Sequence, residues 1–544
     1  MSSHDVIIIH PPAVFDFRKK PLFPGALGAS VEQVQFNKVP IGMLSMAEYL
    51  DRHGYRAKVD NLGDRMVASP TFDAEEHLRN LSAPIIAIGL HFQQHAQGAL
   101  EVARLCKKFH PGSVIVMGGL SATRFHEEII RKYDFVDAVI RAEGEKALLQ
   151  FVRAYEQHGR ITDTPNLTYR TGEGEVRVTP LMPASTDLDE FEFTRFDLLD
   201  PGTSVYPPNA PPRWSLTVCR GCIYNCAICG GSAYTYKTHL GMGKPAFRSP
   251  AKIITDIKKL NDQGVHFIGL YQDPRMGGRK YWRELLSGLA KEKVEIERLS
   301  LDLLVPADEE FIREASKIGR QVVIHLCPDT GSDEVRRRLG RPYDNEELLR
   351  TVEICHKYRL PVTTFFSVGL AGETADDVKK TWEIWEKLSA IDRSSQAAGM
   401  VDVPLGGPIV GPIVLDPGSP AFDDPEKHGY KLLYKNLEEY VGGLSQPSWH
   451  QWLNYETDLL DNAALVDLIL DTVRFSTDQR EKSGLYDYKQ ALAERIRTVL
   501  DREVVAEINR IMTMGEGEER EAAVAALKLK HEHFLNRPVE SFLQ

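Results

Sequence analysis

The residues best suited to chemistry lie in one short run, Cys222-Ile223-Tyr224-Asn225-Cys226-Ala227-Ile228-Cys229, with the spacing C-x3-C-x2-C. Three thiolates on one loop can ligate three irons of a [4Fe–4S] cubane and leave the fourth iron open to a chelating ligand. Cys219 stands close by, and with it the four thiolates could instead close a tetrahedral zinc site. The cubane fits better, since the run follows a strand pattern and leads into an ordered set of downstream loops. Cys219 is then a structural thiol, because a fourth thiolate would close the open iron. Seven cysteines in 544 residues do not form a disulfide scaffold. With Cys106, Cys327 and Cys355 scattered, a reducing compartment and one clustered thiol site are the simplest account.

Elements must hold that loop in place. Ser215-Leu216-Thr217-Val218, directly before it, reads as a strand, and from about 213 to 420 strands alternate with helical patterns. The clearest strands there are Trp214–Val218, Phe267–Leu270, Val322–Leu326 and Thr363–Val368. The first 155 residues alternate in the same way, with strands at Val6–Ile9, Arg56–Asp60, Ile85–Leu90, Val114–Met117 and Asp137–Ile140. Helical periodicity runs from Ile41 to His53 and again through Ala99–Leu105. This predicts an α/β protein whose first domain is a doubly wound parallel sheet. Ligands of such sheets bind outside the carboxyl ends of the strands. The loops there are Pro11-Pro12, Leu90 to His95, Gly118-Gly119-Leu120-Ser121 and Arg141 to Glu145. Glycines in two of them allow close backbone approach.

Residues 156–212 read as a linker with a hairpin near Thr171–Gly174 and a Pro-rich stretch at 207–212. Residues 421–544 form a mostly helical C-terminal domain. Within it the aromatic run Ser448 to Tyr455 reads as core packing in preference to a lid over the site. The chain is acidic, with 66 basic against 77 acidic residues and a net charge of −11, which argues against a nucleic-acid partner. No apolar run approaches the roughly 20 residues of a membrane span. The N-terminus lacks the basic region of a signal peptide, so a cytoplasmic location is expected.

The cysteine spacing and the motifs after it resemble the radical S-adenosylmethionine (SAM) enzyme family. The resemblance implies a partial (β/α)6 barrel over 213–420, with a [4Fe–4S] cluster on Cys222, Cys226 and Cys229. It implies that the open iron chelates SAM, and that one electron cleaves the sulfonium to a 5′-deoxyadenosyl radical. Ile228 takes the place of the aromatic residue that family members often set beside the adenine. Tyr271-Gln272-Asp273-Pro274 stands where the family holds the methionine amino group, which nominates Gln272 and Asp273. Asp329-Thr330-Gly331-Ser332 is similar to the ribose-contacting motif, and Ser367 and Gly369 fall in the Gly-rich fifth-strand motif. Ile413-Val414-Leu415 corresponds to the sixth strand.

The N-terminal half resembles the cobalamin-binding domain of the cobalamin-dependent radical SAM class. The match covers Pro11-Pro12, Val39 to Leu44, Gly118-Gly119 and Glu143-Gly144-Glu145, and predicts a Rossmann-like domain over 1–155. Pro11, Pro12, His91, Gln94, His95, Gly118, Gly119, Glu143 and Gly144 are the cobalamin contacts it implies. Asp51-Arg52-His53 begins like the D-x-H-x-x-G motif of base-off cobalamin proteins, but Arg56 stands in place of the glycine. His53 is therefore read as a helix-end histidine. Whether His91, Gln94 or His95 ligates cobalt stays open. No G-x-G-x-x-G follows the first strand, so a dinucleotide is not expected.

The activity implied is a class B radical SAM C-methyltransferase, moving a methyl group from SAM through methylcobalamin to an unactivated carbon under anaerobic conditions. A cyclisation or rearrangement, as in anaerobic porphyrin-ring cyclases of the same domain order, is the alternative with the same cofactors. A zinc-containing, non-catalytic binding protein is the alternative from another class. The partners implied are SAM, cobalamin, an electron donor of ferredoxin or flavodoxin type, and a small-molecule or protein substrate. One specific candidate is the glutamine α-carbon of methyl-coenzyme M reductase, since the chain is similar in layout to the methylase that modifies it.

Overall fold

Val6-Ile7-Ile8-Ile9 is too apolar for the surface, and in the computed structural model it forms β1 (Val6–His10), buried throughout. The structure describes residues 4–27, 31, 33–35, 38–202, 211–292, 294–319, 322–400 and 409–535. The first sheet continues with β2 (Ala57–Asn61), β3 (Ile85–Gly89), β4 (Val114–Gly118), β5 (Ala138–Ile140), β6 (Leu167–Arg170) and β7 (Val176–Val178). Their spatial order is β2-β1-β3-β4-β5-β6-β7, with the first five parallel. Side chains alternate between the two faces of β1. Val6 and Ile8 join the core under helices Ile41–Asp51 and Glu145–His158, while Ile7 and Ile9 join the core under helix Ala96–Phe109. Helices on both faces make the sheet doubly wound, with its switch point between β1 and β3.

β6 and β7 form the expected hairpin, closed by Gly174 at φ +86°, and β6 pairs antiparallel with β5. The segment read as a linker therefore supplies an edge to the first sheet, and helix Glu145–His158 runs past 155. Of the Pro-rich stretch, residues 207–210 lie outside the described residues.

A second sheet holds β8 (Arg213–Thr217), β11 (Phe267–Tyr271), β12 (Arg298–Leu303), β13 (Val322–Asp329), β14 (Val362–Val368) and β15 (Ile409–Pro412), all parallel. Between β8 and β11 in sequence lies a separate short antiparallel pair, β9 (Cys219–Arg220) and β10 (Ala246–Phe247). The sixth strand comes earlier than expected, and Ile413–Leu415 follow it. Parallel sheets are normally buried on both faces. Here Ser300, Asp302, His325, Cys327, Phe365 and Ser367 stay partly accessible, while their strand neighbours Leu299, Leu301, Ile324, Leu326 and Phe366 are buried. The accessible face is the lumen of a partial barrel.

The C-terminal region packs helices Leu437–Leu444, Asn462–Lys482, Tyr488–Met512 and Glu518–Leu535 beside a two-stranded pair, Tyr430–Leu432 with Tyr455–Thr457. Trp449 is fully buried, and its Nε1 donates to Asp501 Oδ1 at 3.0 Å. His450 bonds Asn509 Oδ1 at 3.0 Å, so this aromatic run is core. Among the described residues, no helix is long and apolar enough to cross a membrane.

Candidate active site

The cysteine loop leaves β9 and is pinned along its length by main-chain hydrogen bonds. Ala227 N donates to Leu339 O at 2.9 Å, Ala421 N to Ala227 O at 2.8 Å, and Ala233 N to Tyr224 O at 2.8 Å. Gly230 N donates to Asp416 Oδ2 at 2.9 Å. A Cβ on Gly340, which sits at φ +100°, would lie 2.8 Å from Asn225 O, so only glycine lets that turn approach the loop.

The three thiols suit a cluster. Tyr224 N points at Cys222 Sγ (3.4 Å) and Gly231 N at Cys229 Sγ (3.3 Å), the N–H···S contacts that thiolate ligands need. Burial pushes the Cys229 thiol up to about 12, so a thiolate there calls for the positive charge that iron supplies. Cys219 is 1% exposed and its Sγ donates to Gly221 O at 3.6 Å, which ties it into the strand pair instead. Among the described residues no three His, Cys, Asp or Glu side chains close on a single ion position. Ile228 packs half-buried against the second core.

Two non-glycine residues take left-handed backbone at the carboxyl ends of barrel strands: Gln272 (φ +77°) and Asp329 (φ +61°). Such strain persists where surrounding structure enforces it, and it clusters at ligand sites. Asp329 Oδ2 accepts from Arg341 Nε at 2.7 Å, and Arg341 Nη1 donates to Leu304 O at 2.8 Å. Asp273 turns away from the cavity that Gln272 lines. Its carboxylate receives Arg275 Nε at 2.9 Å, Arg275 N at 2.9 Å and Leu304 N at 3.1 Å. Thr330 is fully buried, donating from Oγ1 to Glu373 Oε1 at 3.1 Å. Glu373 Oε2 accepts from Gly369 N at 2.9 Å and Leu370 N at 3.2 Å, linking the ends of β13 and β14. Gly369 (φ +95°) lies under Tyr455, whose Oη is 2.4 Å from where its Cβ would be. Ser367 faces the lumen, paired in register with Gly411.

A cavity of about 610 Å³ lies at the switch point of the first sheet. His91, Gly118, Gly119, Glu143 and Gly144 line it, and so do Thr217, Arg220, Tyr271 and Gln272 of the barrel. The space therefore belongs to both halves. At Gly119 (φ +116°) a Cβ would lie 2.6 Å from Leu90 O, and at Gly144 one would lie 2.4 Å from Met46 Sδ. Burial lowers the His91 imidazole to about 4, which keeps it in the neutral, ligand-competent form. Phe92 stands 41% exposed beside it. A largely apolar cavity floored by glycines, with a neutral imidazole and carboxylates at its edge, fits a flat cobalt macrocycle with polar side arms. Pro11 and Pro12 are buried, and Pro12 O abuts Gly98, so they shape the adjoining helix entry and do not line the cavity. Gln94 and His95 lie in the turn behind His91, with the His95 ring edge-on to His10 at 4.8 Å. His53 bonds Tyr49 O at 2.6 Å at its helix end.

Arg220 is a site residue that motif spacing does not point to. Its Nη1 donates to Glu143 Oε1 at 2.9 Å and its Nη2 to Glu145 Oε1 at 2.7 Å, clasping the barrel to the first domain. Burial pushes the Glu145 carboxyl up, but Arg220 and Ser45 more than offset this and hold it below the usual carboxylate range. Asp416 forms a second clasp, taking Gly230 N on Oδ2 and Gln93 Nε2 on Oδ1 at 3.3 Å. Lys38 of the first domain donates to Ser215 Oγ (3.3 Å) and to Tyr271 Oη. On the lumen wall, His325 Nδ1 bonds Asp302 Oδ1 at 3.0 Å in direct register, with the Phe365 ring 5.5 Å away.

Residues 216–383 match the Radical SAM superfamily and residues 29–152 match the B12 binding domain. An uncharacterised methyltransferase of Pyrococcus horikoshii is 23% identical over 350 residues, covering 64% of this chain and 73% of that protein. The anaerobic magnesium-protoporphyrin IX monomethyl ester cyclase of Cereibacter sphaeroides is 23% identical over 359 residues, covering 63% of this chain but only 55% of the cyclase. Two solved structures share the fold. The radical SAM methyltransferase TsrM of Kitasatospora setae, with cobalamin and a [4Fe–4S] cluster bound, superposes with a TM-score of 0.56 at 14% identity, over 93% of this chain and 100% of that one. The cobalamin-dependent radical SAM enzyme OxsB superposes at 0.59 and 12% identity, over 99% of this chain and 80% of that one.

Proposed function

Given that the chain is a cobalamin-dependent radical SAM enzyme, with a [4Fe–4S] cluster, SAM and cobalamin as its cofactors, we propose that it transfers a methyl group from SAM to an unactivated carbon of a substrate held in the barrel lumen. The observation that carries this reading is the shared cavity. Gly118, Gly119 and Glu143 line it from one side, and Thr217, Tyr271 and Gln272, at the mouth of the lumen, line it from the other. When bound, the cofactors supply a hydrogen-abstracting radical and a transferable methyl group.

The chain's own residues orient and exclude. Cys222, Cys226 and Cys229 would hold the cluster, Gln272 and Asp329 with Arg341 would border SAM, and His91 would line the cobalamin cavity. The buried clasp of Arg220 with Glu143 and Glu145 keeps the two halves closed and water out. His325 and Asp302 give the lumen wall a polar pair to orient the substrate. The P. horikoshii relative's description and TsrM's activity support methyl transfer. The cyclase relative is equally similar, so cyclisation with the same cofactors is the competing reading. The substrate is a small molecule or a peptide, with the glutamine α-carbon of methyl-coenzyme M reductase as one candidate. The electron comes from a ferredoxin- or flavodoxin-type donor.

The test is anaerobic purification with cobalamin supplied, assay of iron, sulfide, cobalt and zinc, and turnover with methyl-labelled SAM. Iron and sulfide near about four per chain, stoichiometric cobalt, and S-adenosylhomocysteine with 5′-deoxyadenosine in comparable amounts are expected. 5′-Deoxyadenosine without label in the product would transfer the case to cyclisation. Zinc alone would overturn the cluster.

A further inference from the structure

A second cavity, of about 460 Å³, opens where the first domain meets Leu181 and the barrel helix Ala233–His239. Arg124, Arg131, Arg141, His126 and His239 line it against two acids, Glu127 and Glu128. Those acids are already engaged. Glu128 accepts from Leu437 N (3.0 Å) and Glu438 N (3.2 Å) and pairs with Lys132 (3.3 Å), while Glu127 pairs with Arg131. Arg124 and His239 share Asp423, at 3.0 Å and 2.6 Å.

Arg141 differs. It follows β5 and is 9% exposed, and among the described residues no carboxylate comes within ion-pair distance of it. Its Nη2 donates to the main-chain carbonyls of Leu167 (3.4 Å) and Thr179, while its Nε has no hydrogen-bond partner. A buried guanidinium whose opposing charge, Glu127, acts only from beyond ion-pair distance, and whose Nε goes unbonded, is costly unless something else compensates it. Beside it stands His126, bonded through Nδ1 to Thr168 Oγ1 at 2.9 Å. Burial and the charge of Arg141 push the His126 imidazole down to about 4.

We propose that this cavity is an anion site that takes a phosphate-bearing small molecule, with the phosphate set against the cavity-facing edge of the Arg141 guanidinium and flanked by Arg131 and Arg124. Guanidinium presents planar donors that match a phosphate face. Arg141 brings a charge without an ion-pair partner, Arg131 and Arg124 add donors while keeping their pairs with Glu127 and Asp423, and the volume exceeds that of bare phosphate. The site is separate from the cofactor cavity but backs directly onto it. Thr123, in its wall, accepts on Oγ1 from Ala142 N at 3.0 Å, and Ala142 (φ +60°) lines the cofactor cavity from the other side. Occupancy would therefore brace the loop that carries Glu143 and Gly144.

Equilibrium binding of labelled inorganic phosphate and pyrophosphate to the cobalamin-loaded, full-length protein tests this, with melting temperature as a second readout. Saturable binding that raises the melting temperature is expected. Arg141→Gln should weaken it by about 10- to 100-fold and Arg131→Gln by roughly 2- to 5-fold, with Arg141→Lys retaining part of the affinity. Without phosphate, Arg141→Gln should melt no lower than the parent, because the loss of two hydrogen bonds is offset by removing a buried charge that has no ion-pair partner. Three results would each overturn the proposal: no saturable binding, affinities indifferent to position 141, or binding that vanishes once cobalamin is loaded. A lower melting point for Arg141→Gln in a protein that binds no phosphate would assign Arg141 to tying down the Leu167 and Thr179 carbonyls.

Discussion

At the scale of single residues, Arg220 pairs with Glu143 at the cavity edge and with Glu145, whose side chain is only 3% exposed. Replacing it by methionine strips the ion-pair partner from the buried Glu145, and removing one side of a buried ion pair costs about 3–5 kcal/mol. Arg220→Met should therefore lower stability to urea by that order, and the deficit should grow with pH as the stranded Glu145 carboxyl ionises. A midpoint equal to the parent's would mean that the acids relax to solvent. Glu373 offers a second test. Burial raises its carboxyl to about 7 against the three hydrogen bonds that favour the anion. A raised carboxyl contributes stability that is complete below the unfolded value and lost as pH rises through the folded one. The parent should thus lose up to about 3 kcal/mol between pH 4.5 and 7 that Glu373→Gln does not lose, measured as the difference between their urea midpoints across that range. The cysteine loop stood out in the sequence because spacing alone restricts what three thiols on a loop can do. Arg220 and Glu373 were not, because each is defined by partners that only the fold brings near: Arg220 by acids 75 and 77 residues away.

At the scale of elements, turns decide how closely loops approach each other. Alternation of β-branched runs and helical periodicity made most strands of both sheets readable. β12 escaped notice because Ser300 and Asp302 interrupt it, and those same residues face the lumen. Positive φ at Gln272 and Asp329, and the register shift between Leu326 and Asp329 in β13, leave no trace in residue type. Gly340 shows what such a turn is for. Gly340→Ala adds a strained φ and a methyl group against Asn225 O, so it should cost about 1–2 kcal/mol and displace the cysteine loop. Iron retained per chain after anaerobic gel filtration should fall below that of the parent, while the far-UV spectrum stays the same. Undiminished iron would show that the loop absorbs the methyl group.

At the scale of the whole molecule, two clasps join halves that the sequence presents as separate modules. Gln93 and Asp416 are 323 residues apart, and such a pair has no local signature. Through Asp416 the turn after His91 reaches Gly230 beside the last cluster cysteine. Cobalamin binding should therefore slow amide exchange at Gly230 and Gly231 in the parent, and Gln93→Ala should abolish most of that slowing. Equal protection in both would leave the two cofactor sites energetically independent. The pins along the cysteine loop bear on damage as well as turnover. Its path is fixed by hydrogen bonds from or to its main chain at Leu339, Ala233, Ala421 and the Asp416 carboxylate, none of which involves iron. A cluster lost to oxygen would leave behind a shaped receptacle and not a melted segment, so an injured molecule could be refitted with iron and sulfide in place, without passing back through the unfolded chain.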